Sequence, residues 1–367
     1  MDSSLRHGLA AVVVIALFAP FATYASDGAP DTSNQFPAAG AYYEYSVYLT
    51  PGEPPDVAYA EQSCSGALIA PKVFMTAGHC TAYNYTIDIG ITGYYDRAWV
   101  TFDLVATGND FRCFVEEQGL PYTEFMTADY GCDPAVKSVP FPTFHPVTIA
   151  GRTDGVPIAH GLTHPGYLRD GLRHDGRAAP VNWNLLQQPD VGALVLEQAI
   201  VGIDPLPLRS VGELDTIAGI VGTPVVSVGY GLNWTKLYGT KPTSGLGPLT
   251  DLGGGNEIKR IARVGPIKNL FENSLVPRQD VKKGDDVVCY GDSGSPLFLE
   301  RNGVVEPEIA AVLSGATNWC QGSMDPFYRI DQQEAQDFLQ CVIAHQDDVA
   351  AACRECSAEA DLGLCEP

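Results

Sequence analysis

Short runs of β-branched, aromatic and aliphatic residues, separated by glycine, proline and asparagine, recur along this chain. Residues 41–49 read as a first strand, led in by Phe36-Pro37. Further runs follow at 99–104, 193–196, 224–228, 296–299 and 309–313. Short strands at this spacing, with turn residues between them, restrict the chain to the all-β class, as barrel or sandwich. The pattern does not separate the two. One long helical stretch is expected over 331–351, where apolar residues at 335, 338, 339, 342 and 343 follow a Glu/Gln-rich start. A chain of 367 residues holds one large domain or two modest ones, with ample core for either.

The N-terminus carries one arginine, then an apolar run over residues 9–22, then Thr23-Tyr24-Ala25 before Ser26. Small residues at 23 and 25 suit signal peptidase, and the run is short for a membrane span. Residues 1–25 therefore read as a removed export signal, with an uncleaved anchor as the alternative, and the expected location is extracellular or periplasmic. No other stretch is long and apolar enough to span a bilayer. Export makes the ten cysteines readable as disulfides rather than metal ligands. The net charge of −22 argues against nucleic acid or anionic membrane as partners. Asn84-Tyr85-Thr86 and Asn233-Trp234-Thr235 are glycosylation sequons only in a eukaryotic host.

Two strings carry chemistry. Gly291-Asp292-Ser293-Gly294-Ser295-Pro296 sets a serine between glycines, shortly after Cys289. Glycines let backbone amides approach a developing oxyanion and relax the dihedral limits of a tight turn. An ordinary Gly/Ser/Pro loop is the competing reading of that segment alone. Upstream, two apolar runs flank a Pro71-Lys72 turn and end in Thr76-Ala77-Gly78-His79-Cys80. Cys64 and Cys80 bracket this strand-turn-strand unit; a bond between them would hold His79 rigidly, as a general base requires. His145, His160, His164 and His174 lie among Gly, Pro and charged residues and read as loop residues without a role.

Together the two strings resemble the trypsin/chymotrypsin family of secreted serine proteases. Thr76 to Cys80 matches the family's histidine motif throughout, and Gly291 to Pro296 matches its serine motif except that Ser295 stands where glycine is usual. The likeness runs from about residue 36 to 343. It implies two six-stranded Greek-key barrels, an active site in the cleft between them and a C-terminal helix. The chain then divides into the signal, a protease domain over 26–345 with an insert at 107–155, and a cysteine-containing extension over 346–367.

The family's roles carry over residue by residue. Ser293 is the implied nucleophile, His79 the base, and the amides of Gly291 and Ser293 the oxyanion hole. Asp190 is the expected acid. It stands before Val191-Gly192-Ala193-Leu194-Val195-Leu196, similar to the family's Asp-Ile-Ala-Leu-Leu pattern, and His164-Pro165-Gly166-Tyr167 supports the register. Asp170 and Asp175 compete for the role. Cys289 and Cys320 resemble the pair tying the nucleophile loop to the wall of the specificity pocket. Ser314-Gly315-Ala316 takes the place of a segment whose backbone pairs with substrate as an added strand; the family's tryptophan is missing there. Val287 occupies the position that is aspartate in trypsin-like enzymes, and Ala316 and Pro326 stand where glycines keep the pocket open. Asp285 and Asp286 should point elsewhere. A shallow apolar pocket for small or medium aliphatic residues is the expectation.

No Ile-Val-Gly-Gly string marks an activation site. Either signal cleavage near Ser26 frees the amine that pairs with Asp292, or Asp292 is satisfied internally. Two segments exceed a minimal protease of this kind. The insert 107–155 is polar and turn-rich, and its Cys113 and Cys132 are expected to pair and close a surface loop. In the tail, Cys353, Cys356 and Cys365 join Cys341 in two disulfides with three possible connectivities; zinc on Cys353-x-x-Cys356 is the alternative. The leading functional reading is a secreted, monomeric serine endopeptidase that forms an acyl-enzyme on protein or peptide substrates, needs no cofactor or metal, and would meet protease inhibitors in the same cleft. A catalytically silent homologue that binds a partner through that cleft competes. A lipase or esterase fits poorly, because Pro296 and a β-type run follow Ser293 where a helix should open.

Overall fold

The computed structural model describes residues 28–49, 57–82, 92–120, 132–148, 150–153, 156–159, 161–167, 188–231, 258–280, 283–289, 291–315, 325–361 and 365. The described chain is mostly β, in two large antiparallel sheets. Strands β1 to β17 are numbered in chain order. The first sheet holds β2 (Ala39–Leu49), β3 (Val57–Ala70), β4 (Val73–Thr76), β5 (Thr92–Thr101), β6 (His145–Pro146), β9 (Leu162–Thr163) and β10 (Gly192–Val195), in the order β6-β5-β2-β3-β4-β10-β9. The second holds β1 (Ala29–Pro30), β11 (Val225–Gly229), β12 (Arg260–Ala262), β13 (Ile267–Leu270), β14 (Ser274–Pro277), β15 (Pro296–Arg301), β16 (Val304–Leu313) and β17 (Phe327–Arg329), in the order β1-β12-β11-β15-β16-β17-β14-β13. A small ribbon pairs β7 (Gly151–Thr153) with β8 (Val156–Ala159).

Burial explains why these runs pair. β4 and β10 are buried at every residue, as expected of strands covered on both faces, and they pair directly, Thr76 opposite Gly192 and Met75 opposite Ala193. One apolar cluster joins the sheets: Ala67 and Met75 from the first, with Phe36 from the crossing segment, meet Val226, Phe298 and Val312 from the second. The rings of Phe36 and Phe298 stack 5.0 Å apart. The N-terminal segment crosses between the sheets, since β1 pairs with β12. Buried Lys259 reinforces that crossing by donating to Asn34 Oδ1 and to the carbonyls of Phe36 and Phe102.

Three expectations change. The insert is not merely a surface loop. It contains helix α2 (Gly108–Glu117), which follows α1 (Gly78–Thr81) and starts with a reciprocal cap between Thr107 and Asp110. Phe111 of α2 packs within 5.6 Å of Trp99 and 4.7 Å of Tyr43, so the helix covers the first sheet with an aromatic layer. Cys113 and Cys132 are bonded, as expected. A short helix α3 (Glu213–Thr216) precedes β11.

The stretch 331–351 is not one helix but ends as α4 (Gln333–Ala344). A second helix, α5 (Val349–Cys356), starts where the Asp348 carboxylate accepts the Ala351 N–H, and α6 (Ala358–Asp361) follows. Zinc on Cys353 and Cys356 is also overturned. Cys341 bonds Cys356 and Cys353 bonds Cys365, which selects one of the three connectivities and consumes the sulfurs. Among the described residues no helix is long and apolar enough to cross a membrane. The export segment and both sequon asparagines lie outside the described residues.

Candidate active site

His79 sits in the single turn α1, directly after β4, and Cys80 beside it is bonded to Cys64 on β3. This is the staple the sequence suggested. Asp190 precedes β10, the neighbour of β4, so pairing of the two strands brings base and acid together. The contact is double: Asp190 Oδ1 accepts the His79 backbone N–H at 2.8 Å, and Oδ2 lies 2.9 Å from Nδ1. Asp190 is almost fully buried while the imidazole stays partly exposed, so the ring keeps an accessible edge. Burial acts to lower the His79 pKa, but the charge and hydrogen bond of Asp190 outweigh it, and the net shift is upward. Such a ring is oriented by its acid and ready to take a proton.

A third group completes the carboxylate's shell. Ser314, after β16, donates its hydroxyl to Asp190 Oδ2 at 2.5 Å and is itself buried. The sequence reading gave the backbone of this segment to substrate; the Ser314 side chain serves the acid. No local signal marks that role, because the two residues are far apart in the chain.

The serine loop is pinned between the two sheets. Ser65 donates its N–H to the Ser293 carbonyl at 2.8 Å, and Gly294 donates to the Leu313 carbonyl at 2.8 Å. Gly294 has φ +85°, and a Cβ there would stand 2.2 Å from Thr76 Oγ1, so only glycine fits between the loop and the strand leading to His79. Gly291 is also left-handed, φ +86°. Its carbonyl accepts from Ser65 Oγ at 2.8 Å and from Gln62 Nε2 at 3.0 Å. Neither Gln62 nor Ser65 was singled out from the sequence. Among the described residues the N–H groups of Gly291 and Ser293 have no acceptor. No hydrogen bond joins His79 to Ser293 among the described residues.

Asp292 faces inward. Its carboxylate accepts the N–H of Gly231 at 2.6 Å and of Cys289 at 2.9 Å. Burial pushes its pKa up to about 6, against those two bonds and the nearby charge of Arg260. The carboxylate therefore has internal donors, as the second of the two activation expectations requires.

The specificity residues divide. Val287 is fully buried. Asp285 is paired with Arg278, and Asp286 accepts the Arg263 N–H. Open space surrounds the position of a Gly315 side chain, and Pro326 gives its carbonyl to the Ser314 N–H. Cys289 is disulfide-bonded. Ala316, Cys320, Asp170, Asp175, His160 and His174 lie outside the described residues. His164 lies in irregular chain after β9, yet it is buried against Phe338, accepts the Gly166 N–H at Nδ1 and lies 3.2 Å from the Glu334 carbonyl. His145 belongs to β6, with its ring 5.9 Å from that of Phe102.

No family model matches the sequence, and no curated protein matches it. Among solved structures the chain is similar to a double mutant of human heparin binding protein (CAP37), with 16% identity and a TM-score of 0.46. The match covers 86% of this chain and 96% of that one. At that distance it assigns neither family nor activity.

Proposed function

We propose that this protein is a secreted serine endopeptidase working through an acyl-enzyme. The observation that carries the reading is the His79–Asp190 pair beside a pinned loop that offers Ser293 and two unclaimed backbone N–H groups. In this reading Ser293 Oγ attacks the scissile carbonyl carbon while its proton passes to His79 Nε2. The negative oxygen is held by the N–H groups of Gly291 and Ser293, each donor contributing about 3 kcal/mol to the transition state. The C–N bond breaks, the leaving amine takes the proton from His79, and water releases the acyl group by the same steps in reverse. The imidazolium formed on the way is stabilised by Asp190, itself held by Ser314.

The two sheets would correspond to two Greek-key barrels with the cleft between them. Four disulfides among the described residues suit an exported protein. Buried Val287, with Asp285 and Asp286 engaged elsewhere, supports a preference for small or medium aliphatic residues before the cleaved bond. The internal donors on Asp292 support a loop that stands without an inserted amine.

A catalytically silent homologue that binds a partner is the second reading, favoured by the missing His79–Ser293 hydrogen bond. Apo sites of this kind often tighten only with substrate bound. A fluorophosphonate probe and a mixed peptide library, with Ser293→Ala as control, separate the readings. Labelling of Ser293 and cleavage after aliphatic residues are expected. No labelling and no cleavage would leave the binding reading, and cleavage only after Lys or Arg would remove the proposed pocket.

A further inference from the structure

The C-terminal extension packs against β9, the strand paired with β10, which follows the acid. Cys341–Cys356 and Cys353–Cys365 tie it to α4 and to itself, and Ser357 Oγ donates to the Cys353 carbonyl. Thus held, α6 places Glu359, 1% exposed, against β9. Glu359 Oε2 accepts the Thr163 N–H at 3.1 Å, while Oε1 has no hydrogen-bond partner among the described residues. Burial raises its pKa. A buried carboxyl with an oxygen unmatched is costly to fold, and an apolar residue would fill the same space more cheaply. What the carboxyl adds is an acceptor on the outer edge of the sheet's last strand.

That strand reaches the chain neighbours of both members of the acid–base pair. Thr163 Oγ1 lies 3.0 Å from Thr81 Oγ1, and Thr81 Oγ1 donates to the carbonyl of Gly78, the residue before His79, at 3.1 Å. Two glycines make room for Thr81: a Cβ on Gly192 would come within 2.2 Å of its Oγ1, and one on Gly161 within 2.4 Å of its Cγ2. On the acid's side Thr163 pairs with Gly192, and His164 donates its N–H to the Val191 carbonyl at 3.1 Å. Tyr167 packs between Ala358 of α6 and Ala82 at the end of α1.

We infer that Glu359 is a positioning residue: through Thr163 and Thr81 it fixes the backbone that holds His79 against Asp190. The extension is then a working part of the site rather than a separate module. This rests on the peptidase reading for its kinetic consequence, but not for its structural one.

The test uses the mature full-length protein and compares wild type, Glu359→Ala, Glu359→Gln and Thr163→Val. Two readouts are taken on samples shown by thermal melt to be folded: kcat and KM on a peptide substrate, and the low-field NMR resonance of the His79 Nδ1 proton. Glu359→Ala is expected to lower kcat at least tenfold with KM within twofold, and to broaden or abolish the resonance. Glu359→Gln keeps an oxygen for the Thr163 N–H, so it should restore kcat to within about threefold of wild type, with the resonance sharp. Thr163→Val removes the hydroxyl link without changing shape. It should behave like Glu359→Ala, and it serves as the test if that variant does not fold. Wild-type kcat and resonance in Glu359→Ala, or in Thr163→Val in its place, would overturn the inference. So would loss in Glu359→Gln equal to that in Glu359→Ala. An inactive wild type would defeat the peptidase reading, and the resonance would still decide the role of Glu359.

Discussion

Ser314 Oγ and His79 Nδ1 meet the same carboxylate oxygen, Asp190 Oδ2, at 2.5 and 2.9 Å. The acid is thus held from both sheets, by α1 after β4 and by the segment after β16. Hydrogen bonds to charged groups contribute roughly 1.5–3 kcal/mol. Ser314→Ala is expected to lower kcat/KM by about 10- to 100-fold while the protein stays folded, read by steady-state kinetics beside a thermal melt. A loss under threefold would mean that the imidazole alone orients the acid.

Asp190→Asn removes the charge that raises the His79 pKa. With burial then acting alone on the ring, its pKa falls, so the acidic limb of any remaining activity moves to lower pH. The rate itself should drop by about 10⁴-fold, as loss of the orienting acid does in this type of triad. A pH–rate profile of the variant checks both, and an acidic limb moved upward would contradict the assignment.

Gly291 is held by its carbonyl, which Gln62 and Ser65 both approach as donors. Replacing Gln62 by Leu removes its hydrogen bonds to the Cys64 and Gly291 carbonyls, and the one on Gly291 contributes about 1 kcal/mol. Because the N–H groups of this loop act on the transition state, kcat should fall about fivefold with KM unchanged, and affinity for a boronic acid inhibitor should fall in parallel. A rise in KM with constant kcat would instead make Gln62 a substrate contact.

Burial pushes Asp292 up to about 6, above its unfolded value of about 3.9. The folded state therefore binds the extra proton, and this group's contribution to stability is full below about pH 4 and lost as pH rises to about 6. The Tm difference between wild type and Asp292→Asn should shift steadily against wild type across that window and stay flat above it. A difference independent of pH would show that Asp292 has another partner for its charge.

Lys259 holds three oxygens at the crossing of the N-terminal segment, and burial lowers its pKa to about 8. Lys259→Met removes the donor that joins those oxygens, of which the Phe36 carbonyl keeps the Ala39 N–H, and should cost about 3 kcal/mol in denaturant unfolding. Amide exchange should quicken first over residues 31–36. The sign with pH is the reverse of that for Asp292: for wild type, the group's contribution grows as pH rises from about 8 towards about 10.4, because the unfolded chain then carries the extra proton.

By itself the sequence determined the parts that are local. Strands were legible from buried apolar runs such as β4 and β10, and the His79 and Ser293 segments from contiguous strings. The Cys64–Cys80 staple was legible because its cysteines flank one hairpin. Asp190 was legible because an acid ahead of an apolar strand is itself a short pattern. The structure alone decided what depends on distant segments meeting. The insert's helix α2 is not legible in its polar, turn-rich surroundings, because only the aromatic face of β2 and β5 gives its apolar residues a place to pack. The break at His345 depends on the Asp348 cap, and the tail's pairing on the fold of α5 over α4. Ser314 on Asp190, Gln62 and Ser65 on Gly291, and Glu359 on Thr163 join residues more than a hundred positions apart. A hydrogen bond needs its partners within about 3 Å, and no periodicity or motif in one segment encodes which distant strand will come to lie there.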